Sequence, residues 1–242
     1  MLRRILISVL MLMVFCGVFL GINVYVFATT TICDDEYIMA FIDKHKLLEE
    51  TKSPRIILVG DSSIIFGVDS QQLEEEFSMP VINMGLHGGI GMQFFINSVR
   101  PYIDNEDLVV LIFSPAQLLG NHTQNFFYGT NNHLWQMLVL DIHNLQYLTS
   151  NQISQTISSQ GNELKSRLKN NLFGSECIHF TANRTRYNFN EYGDYVGHLE
   201  EPSLNKDYST YNLGDIEMLD SISDSLNDFA QNVEENGANI VF

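Results

Sequence analysis

Three short stretches of this chain carry residue types that could do chemistry. The first is Gly60-Asp61-Ser62-Ser63, where a serine directly follows an apolar run; a hydroxyl at such a turn can serve as a nucleophile if backbone N–H groups lie nearby. The second is the loop holding Gly85, Gly88, Gly89 and Gly91, whose backbone can approach a substrate oxygen because these residues have no Cβ. The third is Ser114-Pro115-Ala116-Gln117, again after an apolar run.

These stretches need elements to position them. Residues 56–59, 81–84 and 108–113 are short apolar runs that read as buried strands. Between them, residues 70–77 and the face made by Met92, Phe95, Ile96 and Val99 read as helices, the second terminated or kinked by Pro101. Alternating strands and helices predict an α/β fold, a parallel sheet covered on both faces in a three-layer α/β/α sandwich. All three candidate stretches then lie at the carboxyl ends of strands, where open parallel sheets bind ligands.

Upstream, Asp34 and Asp35 can cap a helix that carries Ile38, Phe41, Ile42 and Leu48 and ends near Glu50. Downstream, residues 115–214 lose this regularity and read as an insertion or cap, with a helix over 164–172 and an aromatic-rich loop over 187–194. A long helix then carries Ile216, Leu219, Leu226, Phe229 and Val233; Asp215 can cap it and Gly237 can stop it. Residues 239–242 begin a fourth strand, and the expectation is that the sequence is incomplete beyond it.

The first residues set the compartment. Arg3 and Arg4 precede an uncharged run over 5–28, which as a helix reaches about 36 Å and spans a hydrocarbon core of about 30 Å. The basic residues before it keep residues 1–4 on the cytoplasmic side. The rival reading is a signal peptide cleaved after Ala28, but h-regions usually run to only about 7–15 residues, which favours an anchor. The expected organisation is a cytoplasmic tip (1–4), a transmembrane anchor (5–28), a membrane-proximal helix (29–53) and an outer α/β domain (54–242) in a single-pass cell-membrane protein.

All 29 acidic residues, against 11 of the 13 basic ones, fall in this outer part. Such a charge excludes nucleic acid as a partner. Cys33 and Cys177 lie where a disulfide can persist, and the sequence leaves open whether they pair. No Cys/His spacing suggests a metal site, and no cofactor is expected.

Gly60-Asp61-Ser62 after a strand, followed about 25 residues later by Val81-Ile82-Asn83-Met84-Gly85-Leu86-His87-Gly88, resembles the first two sequence blocks of the SGNH (GDSL) hydrolases. The resemblance covers roughly residues 54–114. It implies a nucleophile at Ser62, whose own N–H helps bind an oxyanion, and a second backbone donor at Gly88. The alternative for the tripeptide is an ordinary helix cap.

The third block departs from the family, because the strand ends in Ser114-Pro115-Ala116-Gln117 where Gly-x-Asn-Asp is usual. Gln117 or Asn121 could take over as side-chain donor. The family's last block, Asp-x-x-His, supplies the base, and no segment up to Phe242 matches it. Asp141 with His143 and Asp194 with His198 have neither its spacing nor its place, and His87 reads as a loop histidine.

An anchor, an outer domain and an altered third block are similar to the membrane-anchored SGNH-like proteins of bacterial cell-surface polysaccharide O-acylation. That similarity implies an acyl esterase or O-acyltransferase acting on cell-surface glycan, with a polysaccharide or acyl donor as ligand and a membrane-bound acyltransferase as partner. The other class of function is a catalytically silent scaffold or glycan-binding partner in an envelope assembly complex.

Overall fold

A computed structural model describes residues 2–29, 32–114, 131–150, 152–154, 177, 184–199 and 220–242. Expectations for 115–130, for the helix over 164–172, for Asp215, Ile216 and Leu219 and for Gln117 and Asn121 lie outside these residues.

The core is a parallel four-stranded sheet in the order β2-β1-β3-β4, with β1 Ile56–Gly60, β2 Val81–Asn83, β3 Leu108–Ile112 and β4 Asn239–Val241. β1 is buried along its whole length and pairs with β3 from Ile56↔Leu108 to Gly60↔Ile112. The α/β class is thus as expected, and strand positions agree with the apolar runs to within a residue or two. From β1 the chain steps to β2 on one side and then crosses back past β1 to β3 on the other. The carboxyl ends of β1 and β3 therefore flank a topological switch point, the place where such sheets open a crevice.

The sheet is accompanied by helices α1 Leu2–Thr29, α2 Ala40–Glu50, α3 Ser62–Gly67, α4 Ser70–Phe77, α5 Met92–Val99, α6 Asn131–Leu140 and α7 Asp220–Glu235, with short 3-10 turns between them. In α1 the side chains are described at positions 4, 7–18 and 21, all exposed. Among the described residues no helix is long and apolar enough to cross a membrane. α5 ends at Val99 and a 3-10 turn takes over at Arg100–Tyr102, as Pro101 requires. α7 stops two residues before Gly237, which takes φ +76°.

Several local expectations are corrected. Asp34 and Asp35 do not cap α2, whose N-cap is Met39 with no side-chain bond. Asp34 instead pairs with Arg186, whose guanidinium also grips Asp43 in a two-pronged contact at 2.6 Å. With one Asp34 oxygen on the guanidinium and the other accepting the Tyr187 hydroxyl, the carboxylate is spent away from any local cap. Ile42 is 40% exposed rather than buried, because Lys44 takes the inward position.

The stretch read as irregular is in part core. Leu134, Met137 and Leu138 of α6 are buried at helical spacing, followed by a 3-10 turn over Ile142–Tyr147. Cys33 and Cys177 form a disulfide across 144 residues of sequence.

Candidate functional site

The turn after β1 is built around Asp61. Its carboxylate is 2% exposed and caps α3, accepting Ser63 N–H at 2.8 Å and the Ser63 hydroxyl on Oδ1. Oδ2 reaches across to the end of β3, where it accepts Ser114 N–H at 3.0 Å and Ser114 Oγ–H at 2.6 Å. One carboxylate thus ties two strand ends together at the switch point.

Gly60 makes that closeness possible, since a Cβ there would collide with the Ile112 carbonyl. The helix-cap reading of the tripeptide holds for Asp61 and leaves Ser62 out of the cap. Ser62 is the first residue of α3, half-buried, and among the described residues neither its N–H nor its hydroxyl has a hydrogen-bond partner. Ile64 and Ile65 are fully buried and pin the short helix to the core, which turns Ser62 and Phe66, one helical turn apart, to a shared face.

Gly88 opens a 3-10 turn, Gly88–Ile90, after β2, and its carbonyl accepts Gly91 N–H at 3.1 Å. Beside it His87 Nδ1 accepts Gly89 N–H at 3.0 Å. That bond puts the proton of the neutral imidazole on Nε2. Burial pushes the His87 pKa below its ordinary value, the Arg184 cation pushes it the same way, and Asp61 opposes both. His87 is therefore a neutral ring near the Asp61 turn at pH 7. Both glycine-loop and serine-turn residues lie at carboxyl ends of neighbouring strands, as expected.

The third stretch is different. Ser114 gives its hydroxyl proton to Asp61 and so cannot offer it to a substrate oxygen. Gln117, the expected substitute, is outside the described residues.

The other candidate pairs come apart. Asp141 accepts His143 N–H and sits 2.8 Å from His143 Nδ1, but the pair is an exposed cap of its own 3-10 turn. Asp194 makes no bond to His198. Its carboxylate takes Ser70 N–H at 2.9 Å, Ser70 Oγ–H at 2.6 Å and Asn83 Nδ2–H at 2.8 Å.

That carboxylate belongs to a buried polar hub which sequence reasoning missed. Lys44, 2% exposed, donates to the carbonyls of Asn83 at 2.7 Å and of Gly193, and its ammonium lies 4.7 Å from the Phe189 ring centre. Burial lowers its pKa from 10.5 to about 7, opposed by Asp194 and Asp43. Asn83 closes the hub: its N–H donates to the Tyr192 carbonyl at 2.8 Å and its Oδ1 accepts Gly85 N–H at 3.0 Å. Gly193 sits at φ +91°, where a Cβ would run into the Asn83 carbonyl. Residues 190–195 are thereby docked against the edge strand β2, beside α3. Among the described residues no group of His, Cys, Asp and Glu could hold a metal ion.

Compared with protein-family models, curated proteins and solved structures, the chain matches none.

Proposed function

We propose that the protein is an SGNH-like acyl esterase or O-acyltransferase with Ser62 as nucleophile, held at the outer face of the cell membrane through the uncharged segment 5–28 and acting on cell-surface glycan. The observation that carries the reading is at the β1 turn: Asp61 takes over the helix cap, leaving the half-buried Ser62 hydroxyl and its N–H uncommitted among the described residues at the sheet's switch point. The motif spacing from Ser62 to Gly88 supports it, and membrane attachment rests on the uncharged sequence over 5–28.

In this reading a base takes the Ser62 Oγ proton as Oγ bonds to the ester carbonyl carbon. The negative charge that develops on the carbonyl oxygen is met by the Ser62 and Gly88 N–H groups. The alkoxide leaves with a proton, and water or a glycan hydroxyl then releases the acyl group from Ser62. The base is the Asp-x-x-His that the resemblance implies, and Gln117 is the proposed side-chain donor. The acyl donor reaches Ser62 from a membrane-bound acyltransferase partner.

The second reading, a scaffold or glycan-binding partner, is favoured by one observation: Ser114, at the end of the third strand, spends its hydroxyl on Asp61. An ester-directed serine probe separates the two. The full-length protein should be labelled and Ser62→Ala should not; labelling that survives the substitution, or no labelling of the unsubstituted protein, removes the catalytic reading.

A further inference from the structure

Arg184 puts a positive charge over the helix that carries Ser62. Its guanidinium carbon lies 4.7 Å from the centre of the Phe66 ring. Phe66 stands one turn after Ser62 on the shared face of α3, and side chains of a helix lean back toward its N-terminus. The ring therefore leans toward the Ser62 turn, and the cation lies over that ring. A sugar whose ester meets the Ser62 hydroxyl extends along this face.

The electrostatics agree with that placement. The Arg184 charge reaches His87, the residue before Gly88, and pushes its pKa down, while Asp61 pushes it up. Arg184 thus acts on the glycine loop as well as on the serine helix. Asp61 itself is buried, with its oxygens on the Ser63 and Ser114 donors, so the acid of this turn faces inward.

The backbone beneath Arg184 is pinned. Thr185 bridges Glu36, Arg186 N–H donates to the Asp35 carbonyl at 2.9 Å, and the Arg186 side chain pairs with Asp34 and Asp43. The Arg184 side chain is exposed. Stacking on a ring uses the face of a guanidinium and leaves its five N–H donors around the edge. It can keep partners within the chain and still meet the oxygens of a carboxylate or phosphate. In a chain of net charge −16 an anionic ligand is repelled from most of the surface, so a local cation decides where it docks.

We propose that Arg184 is a specificity-determining residue: it selects a glycan unit bearing an anionic group, carboxylate or phosphate, and holds that group over Phe66 with the ester directed at Ser62. The proposal rests on the acyl-transfer reading of Ser62, since it names the substrate class presented to that hydroxyl.

Saturation-transfer NMR titrations of the full chain in detergent test it with methyl glucuronide, a glucose monophosphate and neutral methyl glucoside. At least one of the two anionic sugars should bind more tightly than methyl glucoside, and the tighter of the two identifies the anion. Arg184→Gln should weaken binding of that sugar about ten-fold and leave methyl glucoside unchanged, whereas Arg184→Lys should keep part of the preference. Methyl glucoside binding as well as both anions, an anion preference that survives Arg184→Gln, or a loss in Arg184→Lys as large as in Arg184→Gln overturns the role.

Serine-probe labelling of the same preparations keeps the two ideas apart. Labelled Ser62 without an anion preference sinks the Arg184 role alone; an Arg184-dependent preference with Ser62 unlabelled sinks the catalytic reading alone.

Discussion

Replacing Lys44 with methionine should change how stability depends on pH. The folded chain holds the ammonium at a pKa of about 7, against 10.5 for a free lysine, because burial penalises the charge more than Asp194 and Asp43 favour it. Between those values the unfolded chain binds one proton more than the folded one, so stability rises with pH, approaching 1.4 kcal/mol per unit. From pH 7 to pH 9, with half the proton already lost at the start, the gain is about 2 kcal/mol. The nearby histidines do not interfere, since burial lowers both His45 and His87 below their usual value and both stay neutral across this window.

Lys44→Met removes the titration and strips the Asn83 and Gly193 carbonyls of their donor. At pH 7 it should cost about 2–3 kcal/mol, the range for leaving buried acceptors unpaired. The gap to the unsubstituted chain should widen to about 4–5 kcal/mol at pH 9. Urea unfolding of the purified full chain, followed by far-ultraviolet circular dichroism at pH 7, 8 and 9, gives both curves. Parallel curves, or a gap that narrows with pH, would refute the placement of a buried, depressed lysine in the hub.

Two further outcomes are expected. Asp61→Ala leaves two hydroxyls and two N–H groups without their shared acceptor; urea unfolding should show a loss of about 3 kcal/mol, whereas Ser63→Ala, removing one donor, should cost about 1 kcal/mol. Reducing the Cys33–Cys177 bond should lower unfolding free energy by about 2–4 kcal/mol, with little change in near-ultraviolet circular dichroism under native conditions.

The elements around the candidate site were legible because their signals are local. Ile56 to Val59 is apolar throughout, as a strand buried on both faces must be, and the stop at Gly60 marked the turn. Helix α6 was missed although Leu134, Met137 and Leu138 have helical spacing, because it sits inside the polar stretch 115–214, read as an irregular insertion. The hub escaped for a different reason: Lys44, Gly193 and Asp194 look like surface residues in sequence, and their partners are up to 149 positions away.

Asp61 falls between these cases. Its cap was legible from the next two residues, but its grip on Ser114, 53 positions on, needed the register of β1 with β3. Helix α2 failed at its start because Asp34 satisfies a distant guanidinium instead of a nearby N–H.

The Cys33–Cys177 bridge has a topological consequence for the molecule. It closes the chain into a covalent ring that encloses β1, β2 and β3, while β4 and α7 dock from outside it. A single proteolytic nick between positions 33 and 177 would leave both pieces on one molecule until a reductant parted them. A cut between 199 and 220 would instead release the fourth strand and its helix, held to the ring by noncovalent contacts alone.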